Sequence, residues 1–147
     1  MICEFKKKDY VISTNKRKLQ IKTVHHFLTR SYWSQGISIE KVRKSIRHSL
    51  CFGVYYKKEQ IGFARVITDR VRFGYIADVF IVGKYRGKGL SKWLMKCIME
   101  HRELKNIQAW MLATRDAHGL YSQFGFEPLA EPKKYMRKEN YQFKFGG

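Results

Sequence analysis

Apolar positions change their spacing along this chain, and the changes mark its elements. Residues 9–14 (Asp-Tyr-Val-Ile-Ser-Thr) are rich in β-formers and predict a first strand, ended by Asn15-Lys16. Ile21, Val24, Leu28 and Tyr32 then recur three or four residues apart, predicting a helix over about 20–32 that Gln35-Gly36 breaks. Ser38 is placed to cap a second helix with Ile39, Val42, Ile46 and Leu50 on one face. Residues 51–56 and 61–68 form two strand-like runs. The polar residues 57–60 between them predict a hairpin with a loop of about four residues. Residues 73–82 are apolar on both faces and predict a central strand covered on both sides.

A glycine-rich turn at 83–89 follows that strand. Beyond it, Leu90, Trp93, Leu94, Cys97, Ile98 and His101 share one face of the clearest amphipathic helix in the chain. Residues 107–113 predict another short strand. Asp116 is placed to cap a last helix carrying Ala117, Leu120 and Phe124, with Gly125 as its left-handed end. One or two weak strands and a frayed tail over 137–147 complete the expectation. Hairpins mixed with strand–helix–strand units imply an α/β fold, with a mixed, mostly antiparallel sheet flanked by helices. The chain reads as a single domain over 1–147, with its core at about 9–136.

Composition narrows this picture. A hydrophobic fraction of 44% excludes a disordered chain. No run approaches the ~20 apolar residues of a membrane helix, and the N-terminus has no apolar block of signal type. The expectation is a soluble, cytoplasmic protein. Cys3, Cys51 and Cys97 are odd in number and form no Cys-x-x-Cys pair, so neither a disulfide framework nor a metal site is expected. The net charge of +18 attracts anions, but the basic residues are spread in short clusters with no base-reading motif. No specific nucleic-acid partner is expected.

The chemistry centres on Gly83-Lys84-Tyr85-Arg86-Gly87-Lys88-Gly89-Leu90. Glycines allow a ligand to approach the backbone, and the first N–H groups of the following helix point outward with the positive end of its dipole. A pyrophosphate suits such a site. The third glycine of a dinucleotide fingerprint and the Gly-Lys-Ser/Thr of a Walker turn are both missing. By itself the turn is compatible with a plain chain reversal.

Lys84-Tyr85-Arg86-Gly87-Lys88-Gly89 resembles the Gln/Arg-x-x-Gly-x-Gly/Ala motif of the GNAT family of N-acetyltransferases, with Lys84 where Gln or Arg is usual. Leu120-Tyr121-Ser122-Gln123-Phe124-Gly125-Phe126 resembles that family's Tyr-x-x-x-Gly-Phe segment, and Ala77-Asp78-Val79-Phe80-Ile81-Val82 its fourth strand. Several blocks resemble a bacterial-type subgroup whose members mostly lack an assigned substrate. The resemblance implies acetyl-CoA as the donor. Val79, Phe80, Ile81 and Val82 would pair with the pantetheine arm, and Arg86, Gly87, Lys88, Gly89, Leu90 and Ser91 would hold the pyrophosphate. Thr114 would contact the cofactor, and Tyr121 would lie near the thioester sulfur and protonate the leaving thiolate.

The competing readings are specific. Tyr121 can instead be a core aromatic of its helix. Asp78, in an apolar strand, is either a general base raised by burial or a structural carboxylate paired with a cation. His25, His26 and His118 are alternative bases, and many relatives use a water chain. The amide of Phe80 or Ile81 is the expected polariser of the thioester carbonyl. No metal is required. The acceptor would be a small-molecule or peptide amine, with a pocket near Tyr32, Trp33, Glu40 and Lys133-Lys134. The +18 charge leans against polycationic acceptors and toward neutral or acidic amines. Homodimers are common in the resembling family. The alternative functions are a basic binding module for nucleic acid or an acidic partner, and a CoA-binding member without transfer activity.

Overall fold

The computed structural model describes residues 1–140. Six strands form one sheet in the order of the chain: β1 (Glu4–Lys7), β2 (Tyr10–Ser13), β3 (Leu50–Tyr56), β4 (Glu59–Thr68), β5 (Phe73–Ile81) and β6 (Ala109–Leu112). Neighbours are antiparallel except β5 and β6, which are parallel. A parallel pair needs a crossover, and helix α3 (Leu90–Glu100) supplies it. Helices α1 (Ile21–Leu28) and α2 (Ile39–Arg47) precede β3, and the short α4 (His118–Ser122) follows β6.

Alternation along the strands divides the core in two. Phe52, Val54, Ile61, Ala64, Val66, Ile76 and Ile81 meet Leu90, Leu94, Met95 and Ile98 of α3 on one face. Cys51, Phe63 and Phe80 meet Val24 and Leu28 of α1 and Val42 and Ile46 of α2 on the other. The strand at β5 is thus covered on both sides, as its apolar residues on both faces predict. Ser38 caps α2, its hydroxyl accepting from the Lys41 N–H at 3.3 Å. Cys51 and Cys97 are buried, and burial pushes their thiols up to about 11 and about 12. They are core thiols rather than nucleophiles.

Several elements differ from expectation. β1 is a strand where the sequence offers mostly charge. Its lysines and Lys8 of the following turn keep an edge strand from pairing with other chains. The first helix ends at Leu28, so Tyr32 and Trp33 lie in the loop before α2. The β3–β4 loop is two residues, not four, because Tyr56 pairs with Glu59. Lys57 (φ 47) and Lys58 (φ 72) hold the left-handed conformations that Asn or Gly usually mark. Asp116 does not cap α4. Ala117 stands at the N-cap without a side-chain cap bond, and the Thr114 hydroxyl accepts from the Ala117 N–H at 3.0 Å. Gly125 (φ 88) ends the helix in the left-handed region, as expected. Residues 126–140 carry a 3-10 turn at Pro132–Lys134 and no strand. The rest of the expected tail, 141–147, lies outside the described residues.

One buried group makes the fold pH-sensitive. His101 ends α3, packs edge-on against Phe52 at 5.6 Å, and accepts at Nδ1 from the Glu103 N–H at 3.1 Å. Its Nε2 is buried without a partner. Burial lowers its pKa below 6.5, against an opposing pull from Glu103. The unfolded chain therefore takes up a proton that the folded chain refuses. This contribution to stability is complete above about pH 6.5 and is lost as the pH falls further. Urea midpoints at pH 7.5 and 5.5 are expected to show the loss. His101→Asn, which keeps an acceptor for Glu103 and does not titrate, is expected to flatten that slope.

Candidate functional site

The site begins where β5 and β6 part. Their pairing runs from Phe73↔Ala109 to Ile76↔Leu112 and stops. Residues 77–81 continue along β4 with no strand on their other side, and their ladder carries a register shift opposite Phe63–Arg65. Asp78 sits in this bulge with a φ of 56, a left-handed conformation in mid-strand. Val82 N–H donates to Ile61 at 2.7 Å. By the two-residue alternation of an antiparallel ladder, Phe80 also faces β4, while the amide of Ile81 faces the open gap.

The strand runs directly into the glycine turn. Tyr85 is buried and anchors it. Gly87 and Gly89 both have a φ of 78, and a Cβ at either would meet nothing within 4 Å. The space beside both glycines is therefore open. The first helical bond runs from Trp93 N–H to Gly89 at 3.1 Å, leaving the amides of Leu90, Ser91 and Lys92 without helical partners. Arg86 is not free at the rim. Its Nε donates to the Ile81 carbonyl at 3.0 Å, and its guanidinium lies 6.0 Å from the Phe27 ring. Lys88 is exposed beside the turn.

Asp78 is committed on both oxygens. Oδ2 accepts from Arg65 Nε at 2.9 Å and Oδ1 from Trp33 Nε1 at 3.0 Å. Arg65 also donates to the Ser49 hydroxyl at 3.0 Å. The ion pair is largely buried, with side-chain exposures of 16% and 9%. Of the two readings open in the sequence, the geometry is that of the paired carboxylate. Arg65 was missed there, although a lone arginine in the apolar run 61–67 was a signal for it.

Tyr121 is buried in α4 and packs edge-on against Phe126 at 6.1 Å. It lines a cavity of about 330 Å³ shared with Thr114 and His118. Its hydroxyl has no hydrogen-bond partner among the described residues. Burial raises its pKa above 10, and the nearby Tyr32 hydroxyl adds to the rise. Tyr32 itself bridges the gap. Its oxygen accepts from the Arg115 N–H at 3.2 Å, and the Arg115 guanidinium lies 3.9 Å from its ring. His25 is held by the Ile37 carbonyl at 3.0 Å and His26 by Arg30. Only His118 of the three shares a cavity with Tyr121.

A second, larger cavity of about 680 Å³ runs along α1. Phe27, Tyr32, Trp33 and Val82 are among its walls. Phe27 stacks on Phe80 at 4.0 Å, which fixes the helix against β5. Neither Glu40 nor Lys133-Lys134 lines it. Among the described residues no cluster of three or more His, Cys, Asp or Glu could hold a metal, and no helix is long and apolar enough to cross a membrane.

The chain is similar to proteins of one kind. The family model of the acetyltransferase (GNAT) domain matches residues 47–128, more than half of the chain. A crystallised protein of Xanthomonas campestris pv. campestris, assigned to the GNAT family, is 39% identical. The match covers 89% of this chain and 93% of that one, with a TM-score of 0.86. A candidate acetyltransferase of Gibberella zeae is 28% identical over 78% of this chain and 77% of its own length. The fold is shared with a GNAT acetyltransferase of Elizabethkingia anophelis solved with acetyl-CoA bound, 17% identical, covering 82% and 78% of the two chains at a TM-score of 0.63.

Proposed function

This chain belongs to the GNAT acetyltransferase family and is an acyltransferase, and from that premise we propose that it moves the acetyl group of acetyl-CoA to a primary amine by direct attack on the thioester. The observation that carries the cofactor is the unpaired stretch 77–81 ending in the open glycine turn. An extended amide-bearing arm fits a free strand edge. A pyrophosphate fits the unpartnered amides at the start of α3. The residues present suit the molecule: Val79 to Val82 would flank the arm, the backbone of Arg86 to Ser91 would hold the phosphates, and Thr114 would contact it from beyond β6.

Bound acetyl-CoA supplies an activated acyl group. The chain supplies its placement, a donor for the developing oxyanion and a proton for the leaving sulfur. The Ile81 amide is the donor, because Phe80 is turned toward β4. Tyr121 is the acid, since burial keeps its phenol protonated. Asp78, held by Arg65 and Trp33, anchors the bulge and the acceptor wall rather than taking the amine's proton. That proton leaves through water in the groove along α1.

A native-state ligand raises the melting temperature. Acetyl-CoA at about one hundred times its Kd is expected to add roughly 5–10 °C. An unmoved melting curve at millimolar acetyl-CoA would exclude the reading.

A further inference from the structure

The groove along α1 carries a charge pattern that the donor site does not use. Lys22, His26 and Arg30, four residues apart, all line it and are exposed. They stand on one face of the helix and its first turn beyond. His26 Nε2 accepts from the Arg30 guanidinium, which holds the Arg30 side chain along the groove. Among the described residues, no carboxylate pairs with Lys22 or Arg30. Glu59 is the only acidic residue on the groove wall, and it lies beside Gln60 at the β4 end. Asp78, near the other end, is already committed to Arg65 and Trp33.

The order along the groove is fixed by neighbours. The Gln20 N–H, just before α1, donates to Gln60 at 2.7 Å, which ties the Lys22 end of the helix to the start of β4. Trp33 reaches the bulge at Asp78, which puts Arg30 toward the reacting end. Phe27 and Trp33 give the floor between them an aromatic surface, their rings 6.3 Å apart.

We propose that Arg30, positioned by His26, forms an anion subsite, and that the acceptor is a small amine carrying a carboxylate or phosphate. The inference rests on the acetyl-transfer reading and names its substrate class. A guanidinium that spends one N–H on His26 keeps others for such oxyanions. The same positive field disfavours the ammonium form of the bound amine, and so favours the neutral nucleophile that attack on a thioester requires. Polyamines would meet repulsion throughout.

The test compares matched amines by thiol release at saturating acetyl-CoA: β-alanine and 2-aminoethyl phosphate against β-alaninamide and ethanolamine. The anionic members are expected to show at least about tenfold higher kcat/KM, the scale of one charged hydrogen bond. Whichever of the two anions is preferred identifies the group. Arg30→Gln is expected to collapse the preference while the acetyl-CoA melting shift stays intact. Equal rates within each pair overturn the proposal. So does a loss of the acetyl-CoA shift in Arg30→Gln, which would assign the cluster to the donor's phosphates. A second arm titrates inorganic phosphate into the CoA-saturated protein and follows indole fluorescence, with Trp33→Phe as control. If neither arm responds to an anion, the proposal fails. A wild-type chain that acetyl-CoA does not stabilise instead removes the transfer reading beneath it.

Discussion

Replacing Tyr121 by phenylalanine is expected to lower kcat by about 10²–10⁴-fold and to leave acetyl-CoA binding almost unchanged. As the proposed acid, the phenol would act only as the carbon–sulfur bond breaks, so its loss should appear in kcat and kcat/KM alike rather than in the donor's KM. The substitution is mild for the fold. The ring still meets Phe126 edge-on, and among the described residues the hydroxyl gives up no hydrogen bond. A drop in melting temperature of more than a few degrees would therefore mark packing rather than chemistry. The pH profile supplies a second check. Burial, helped by Tyr32, holds the phenol above its ordinary 10. The acid form is lost only as the pH rises through that raised value, so Tyr121 should impose no fall in rate below about pH 10. A variant with kcat within twofold of wild type would remove Tyr121 from the reaction.

The parts of the site written in local sequence were legible, and the parts written in contacts were not. The glycine turn and the Gly125 end of α4 announce themselves, because positive φ at these positions asks for glycine. The amphipathic face of α3 follows from period alone. By contrast, the left-handed turn at Lys57-Lys58 carries no such residue, so the hairpin was read two residues too long. The β1 strand was hidden because an edge strand profits from lysine, which no β-propensity favours. The place where β5 and β6 separate is a matter of which residues pair, and no spacing encodes it. The Tyr32–Arg115 bridge joins residues 83 positions apart and was out of reach for the same reason. Asp78 stands between these cases. Its oddity in an apolar strand was visible, but its role depended on Arg65 and Trp33, 13 and 45 positions away.

That dependence allows the two roles of Asp78 to be separated. Asp78→Ala is expected to cost about 3 kcal/mol of stability, because a largely buried guanidinium loses its counter-charge and keeps only the Ser49 hydroxyl. Alanine also suits the left-handed φ of 56 poorly. Asp78→Asn should be milder. Asparagine tolerates that backbone conformation, and its carbonyl can still accept from the Trp33 indole. It cannot, however, act as a base near neutral pH. A general base at this position would thus lose most of its kcat in Asp78→Asn, with stability only modestly changed. An anchor would keep kcat within about tenfold, and the damage would fall on the acceptor's KM through a loosened Trp33. Urea denaturation and steady-state kinetics on the same preparation separate these outcomes. A double-mutant cycle with Arg65→Met should return a coupling on the order of 1–3 kcal/mol, since the two side chains touch. Additive losses would mean that the 2.9 Å contact contributes nothing. The bulge would then owe its left-handed residue to the backbone alone.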